Sequence, residues 1–114
     1  TPYFPVGDRN VQQFFEECGY AVKRIKGLQC ASPVLIAHAQ PDELRAAVQE
    51  LDGDDVDAVV QVGTNLAFAA LAARMEKERA KPILAINTAI YWHALRRNGI
   101  GDRIPGWGRL MEEH

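Results

Sequence analysis

The residues best suited to bind a ligand form one turn, Gly63-Thr64-Asn65. An apolar, β-branched run at 58–62 precedes it, and an alanine-rich segment at 66–79 follows. This order predicts a strand, a tight turn and a helix N-terminus. Unpartnered N–H groups at such a turn, with the positive end of the helix dipole, suit a carboxylate or phosphate. Most strand-to-helix turns hold no ligand, so the turn by itself leaves a binding role and a purely structural role open.

Other reactive side chains show no catalytic or metal-binding spacing. Cys18 and Cys30 form no CxxC pair, and neither lies on a predicted strand-to-helix turn. Their usage favours a reduced, cytoplasmic protein. His93 is more typical of a structural residue than of a catalytic one. Trp92 and Trp107 are more typical of a core or an interface than of a substrate cage.

Composition narrows the class of partner. The chain has 114 residues, which predicts a single domain, with 47% hydrophobic and 25% charged residues and a net charge of −2. Its Lys and Arg residues are interspersed with Asp and Glu, apart from short clusters at 23–26 and 96–97 that are typical of a solvated face. No apolar run has membrane-spanning length. We therefore expect neither a nucleic-acid nor a membrane partner.

The first half of the chain predicts two helices and an edge strand. Residues 1–8 predict a loop, and residues 9–18 a helix with an apolar face made of Val11, Phe14, Phe15 and Cys18. Gly19 suits a left-handed residue after that helix. Residues 20–26 predict a strand, and 34–39 one or two helical turns. A helix begins at 41 and buries Leu44, Val48 and Leu51.

The second half predicts alternating strands and helices. Strands are expected at 56–62 and 83–86, both apolar enough to be covered on two faces, with the helix 66–79 between them. A further helix begins at 87–88 and ends at Gly99, and a last turn forms at 108–111. We expect that helix to bury Ile90, Tyr91, Ala94 and Leu95. The resulting α-β-α-β-α-β-α order predicts an α/β fold with a parallel sheet flanked by helices.

Three segments together are similar to a known family: Thr1-Pro2-Tyr3, the turn 63–66, and Asn87-Thr88-Ala89-Ile90-Tyr91-Trp92-His93-Ala94-Leu95-Arg96. Their spacing and flanks resemble the C-terminal half of maleate isomerases and arylmalonate decarboxylases, in the aspartate/glutamate racemase superfamily. The resemblance implies that residues 1–114 form one flavodoxin-like lobe of a two-lobe protein, lacking its first, central strand. It also implies an active site between the lobes and no metal or organic cofactor.

The resemblance assigns roles at individual positions. In this family cysteines on strand-to-helix turns act as nucleophile, acid or base, while backbone amides and a tyrosine hydroxyl hold the substrate carboxylate. Tyr3 matches that tyrosine, and Thr64 and Asn65 match the amides. Gly63 matches a catalytic cysteine and has no thiol, so no catalytic residue is expected in this lobe. The family position implies that a small side chain would be tolerated at residue 63.

Two interpretations of function follow. The first is a cofactor-independent isomerase or decarboxylase that acts on a small carboxylate, with the catalytic cysteine in an N-terminal lobe preceding this segment. The second is a non-catalytic carboxylate-binding protein of the same fold that has lost the thiol. A homo-oligomer is compatible with both. A response-regulator-like domain is disfavoured, because no acidic cluster follows a first strand.

Overall fold

The computed structural model describes all 114 residues and confirms the α/β class. The chain forms six helices and one two-stranded sheet. In chain order the elements are α1 (Pro5–Glu17), α2 (Pro33–Ile36), α3 (Pro41–Leu51), β1 (Val59–Gln61), α4 (Ala69–Arg79), β2 (Ile83–Ala85), α5 (Ile86–Arg97) and α6 (Arg109–Glu113). No helix combines the length and the apolarity that crossing a membrane requires.

The sheet and α4 form a βαβ unit around which the core is built. β1 and β2 are parallel, with Val59 opposite Ile83 and Gln61 opposite Ala85. Apolar side chains of α3, α4, both strands and the segment before α4 make one buried cluster. Because both strands run the same way, their carboxyl ends meet at one edge of the sheet, where the turn at 63–65 begins.

The predicted strand at 20–26 is wrong, since none of its residues is in a strand. A strand needs a neighbouring strand to pair with. This segment is instead held in place by side-chain hydrogen bonds. Arg24 donates to the Asp55 carboxylate at 2.6 and 2.9 Å and to the Leu51 carbonyl at 3.1 Å. The next residues, 28–30, donate backbone hydrogen bonds to the carbonyls of residues 1–3.

The first helix begins four residues earlier than predicted. Pro5 occupies its first turn, where a proline has no N–H to leave unpaired. Residue 7 lies inside this helix and is a glycine, because a Cβ there would approach the Tyr3 Cβ to 2.7 Å. The expected apolar face is only partly covered, with Phe14 61% exposed and Cys18 also exposed.

Two further predictions, on the burial of a strand and of a helix face, are wrong. The strand expected at 56–62 spans only the three residues of β1, and it is not covered on both faces, since Val60 is 39% exposed. Ile90, Tyr91 and Ala94 are exposed, because α5 packs against β2, α4 and α6 along its other face. α5 also begins one residue earlier than expected, at Ile86.

Predictions that rest on short-range chemistry are confirmed. α3 begins at Pro41 and buries Leu44 and Val48, whereas Leu51, which was also expected to be buried, is only half-buried. Gly19 and Gly99 have φ of +89° and +72° at the ends of α1 and α5. The residues 34–39 contain a single helical turn, whose N-terminus is capped by the Ser32 hydroxyl at 3.3 Å from the Leu35 amide.

Candidate carboxylate-binding site

The turn at residues 63–65 is closed by a hydrogen bond from the Leu66 amide to the Gly63 carbonyl, at 3.2 Å. α4 begins only at Ala69, so the expectation of a helix starting at residue 66 is wrong. Phe68 takes the N-cap position, and Leu66 and Phe68 fill the core before the helix starts. Because a helix dipole acts mainly over the first turn, the local N–H groups must supply most of the attraction for an anion.

The turn presents two unpartnered donors. The backbone N–H groups of Thr64 and Asn65 donate to no backbone or side-chain acceptor, and both residues are exposed. Adjacent free N–H groups of this kind form a concavity that suits an oxyanion. We name residues 63–65 the carboxylate-binding turn.

The tertiary structure brings Tyr3 to this turn across 60 residues of sequence. A Cβ built on Gly63 would lie 3.7 Å from the Tyr3 hydroxyl oxygen. The loop that carries Tyr3 is held in place, since the Tyr3 amide donates to the Thr1 hydroxyl at 3.1 Å and that hydroxyl donates to Asp8. The hydroxyl of Tyr3 and the N–H groups of the turn therefore share one end of the molecule.

Gly63 is required by the packing at this place. Its φ is +106°, which L side chains rarely adopt, and a Cβ would approach the Pro2 Cγ and Cδ atoms to 2.6 Å. Pro2 is itself fully buried against it. The expectation that residue 63 tolerates a small side chain is therefore wrong for this backbone, and no thiol could stand there without a shift of the Pro2 loop.

Three carboxamide side chains anchor the turn, and two of them, Gln61 and Asn87, were not predicted as site residues from the sequence. Gln61 Nε2 donates to the Gly63 carbonyl at 2.7 Å, and Asn87 Nδ2 to the Thr64 carbonyl at 2.9 Å. Asn65 Nδ2 donates to the Pro33 carbonyl at 3.2 Å, which ties the turn to α2. The available signal was a glutamine inside an otherwise apolar strand.

The other reactive side chains lie in ordinary surroundings. Cys18 is exposed at the end of α1, while Cys30 is half-buried and its amide donates to the Pro2 carbonyl at 3.0 Å. His93 is exposed on α5. Trp92 packs under the Arg96 guanidinium, 5.8 Å from the ring centroid, and Trp107 is 48% exposed.

Comparison with known proteins addresses the predicted resemblance. No protein-family model matches the chain. It is 26% identical, over 114 residues, to a maleate isomerase of Nocardia farcinica, and this match covers 99% of the chain. The chain spans 45% of that relative's length.

Two solved structures of Nocardia farcinica maleate cis-trans isomerase share this fold, each with a TM-score of 0.93. Over nearly its whole length the chain is similar to part of maleate isomerase. One structure is a cysteine-to-serine mutant with a covalently bound succinylcysteine intermediate, 25% identical and covering 99% of this chain and 46% of its own. The other is bound to TRIS, 26% identical, covering 98% and 46%. The match to part of maleate isomerase confirms the resemblance that the three motifs predicted.

Proposed function

We propose that this chain is the carboxylate-binding lobe of a cofactor-independent enzyme that isomerises or decarboxylates a small carboxylate or dicarboxylate. The observation that carries the proposal is the pair of free N–H groups at Thr64 and Asn65 beside the Tyr3 hydroxyl. Two N–H donors and one O–H donor match the acceptor sites of a single carboxylate. Such charge-assisted hydrogen bonds are stronger than neutral ones.

The same donors would serve either reaction. Attack of a thiolate on a double bond next to a carboxylate forms a carbon–sulfur bond and moves the π electrons onto the neighbouring carbon and its carboxylate. Loss of CO₂ from a malonate leaves its electron pair in the same place. In both cases negative charge grows on the bound carboxylate, and fixed N–H and O–H donors stabilise that charge.

The thiol of this reaction would come from outside this turn. Gly63 has no nucleophile, and neither cysteine of the chain lies on a strand-to-helix turn. The related maleate isomerase structure contains a succinylcysteine intermediate. In the full-length protein we expect maleate to form an equivalent adduct, in which the thiol sulfur bonds to one alkene carbon and a proton adds to the other.

The lack of a thiol at Gly63 also favours a second function. If no cysteine of the full-length protein faces the turn, the chain belongs to a non-catalytic carboxylate-binding protein. Intact-mass measurement after incubation with maleate separates the two, because only the enzyme gains the mass of one maleic acid molecule on a cysteine.

The Tyr3→Phe variant of the full-length protein tests the site itself. Hydrogen bonds to charged groups contribute about 1.5–3 kcal/mol, so affinity for maleate or malonate should fall about ten- to a hundredfold. Tyr20→Phe is the matched control, because Tyr20 is 67% exposed and contacts Phe15 edge to face near the end of α1. Equal affinities of Tyr3→Phe and wild type in calorimetric titration, or binding that a chelator abolishes, would show that the site is misplaced.

A further inference from the structure

Two carbonyl groups of the carboxylate-binding turn accept side-chain hydrogen bonds, in addition to the backbone hydrogen bond that closes the turn. We propose that Gln61 and Asn87 are positioning residues that aim the Thr64 and Asn65 N–H groups at the bound carboxylate. This inference rests on the proposed function for the role of those N–H groups, while the geometry that supports it stands by itself.

The argument begins with the planarity of the peptide bond. In a trans peptide the carbonyl and the following N–H point in nearly opposite directions. Gln61 holds the Gly63 carbonyl, at 2.7 Å, and so directs the Thr64 N–H away from Gln61. Asn87 holds the Thr64 carbonyl, at 2.9 Å, and directs the Asn65 N–H in the same manner. Each carboxamide thus fixes one peptide plane and one donor.

Gln61 is costly for the fold, which argues for a role beyond packing. The residue is 7% exposed and lies in β1 on the same face as Val59, against the apolar core. Its Oε1 atom is buried without any hydrogen-bond partner. A buried unpaired polar atom destabilises a protein, and a leucine at this position would avoid the penalty. The only hydrogen bond of the Gln61 side chain is the one that its Nε2 donates to the Gly63 carbonyl.

The sheet register explains how Asn87 reaches the turn. Gln61 lies opposite Ala85, so residues two places further along each chain, 63 and 87, leave the same edge of the sheet side by side. Asn87 is in the first turn of α5, and its exposed side chain crosses to the Thr64 carbonyl. Donation to a carbonyl also polarises the peptide and strengthens its N–H as a donor.

The test uses three variants of the full-length protein. Gln61→Leu and Asn87→Ala each remove one anchoring donor. Asn98→Ala is the matched control, because the side chain of Asn98, the residue that caps the C-terminus of α5, also donates to a backbone carbonyl, that of Ala94 at 2.8 Å, but far from the turn. Affinity for maleate is measured by calorimetry, and the directions of the Thr64 and Asn65 N–H bonds by residual dipolar couplings.

We expect Gln61→Leu to reorient the Thr64 N–H and Asn87→Ala the Asn65 N–H. Each should weaken maleate binding about tenfold, the lower end of the effect of losing a hydrogen bond to a charged group. Asn98→Ala should match wild type in both measurements. Gln61→Leu should lose affinity without losing resistance to urea, a combination that a merely structural role would not produce.

The outcomes separate this inference from the proposed function. If wild type does not bind maleate or malonate, the proposed function fails, and the dipolar couplings alone decide whether the two residues aim the N–H groups. Unchanged N–H directions in both variants overturn the inference whatever the affinities are. Reoriented N–H groups with affinities equal to that of Asn98→Ala overturn the role in binding.

Discussion

Replacing Glu76 by glutamine should loosen the attachment of the C-terminal helix. Glu76 lies in α4 and is 3% exposed, and its two oxygens accept hydrogen bonds from the Ile83 amide at 3.1 Å and the Arg109 amide at 2.7 Å. It thereby joins α4 to the start of β2 and to the first residue of α6. Gly108 leaves room for this contact, since a Cβ there would lie 2.9 Å from Glu76 Oε2.

The expected loss of stability follows from the number of acceptor oxygens in the side chain of residue 76. Glutamine offers one oxygen and one NH₂ group, so one of the two backbone N–H groups would face a donor and lose its partner. A buried unsatisfied N–H costs about 1–3 kcal/mol, and we expect Glu76→Gln to lower the free energy of unfolding by that amount. Urea unfolding measures the total, and hydrogen exchange at the Ile83 and Arg109 amides shows which contact is lost.

Glu78→Gln is the control for this prediction. Glu78 lies two residues further along the same helix, and its side chain is 48% exposed in an ion pair with Arg45. Exposed ion pairs contribute little, so this change should have a much smaller effect. If the two variants are equally stable, or if protection at the Arg109 amide is unchanged in Glu76→Gln, the reasoning about Glu76 is wrong.

Two further predictions concern residue 63 and acid stability. Gly63→Ala should lower the free energy of unfolding in urea by more than Gly99→Ala does. Both positions have positive φ, which costs a side chain about 1–2 kcal/mol, but only a Cβ at residue 63 would clash with Pro2, which adds about 1–3 kcal/mol. Equal losses would contradict the packing argument. The hydrogen bond from Lys81 lowers the pKa of Asp52 below its ordinary value, so this contact stabilises the fold above about pH 4 and is lost as the pH falls through the lowered pKa. Lys81→Met should therefore raise the Asp52 pKa in a carbon-detected NMR titration and reduce stability at neutral pH more than at pH 2, whereas an unchanged pKa would refute the assignment.

The fold class was predictable because its signals are local. Pro41 at the start of α3 and the glycines that end α1 and α5 act within one helical turn of sequence. The apolar run before Gly63 predicted β1, and the run at 83–86 predicted β2. The segment at 20–26 has equally good strand spacing, yet it forms no strand. Strand formation requires a pairing partner, and the structure ties this segment instead through Arg24 to Asp55.

The candidate site divides in the same way. The sequence alone indicated the turn at Gly63, and the family resemblance added Tyr3. The sequence could not show that Pro2 packs on Gly63, or that α4 starts three residues after Leu66 so that core side chains can fill the gap. It also could not assign Gln61 and Asn87, because their bonding partners are set by the parallel register of β1 and β2. Residue type and spacing therefore determined which turn offers its N–H groups, whereas tertiary contacts decided which atoms hold those groups in place, because peptide planes are fixed by partners distant in sequence.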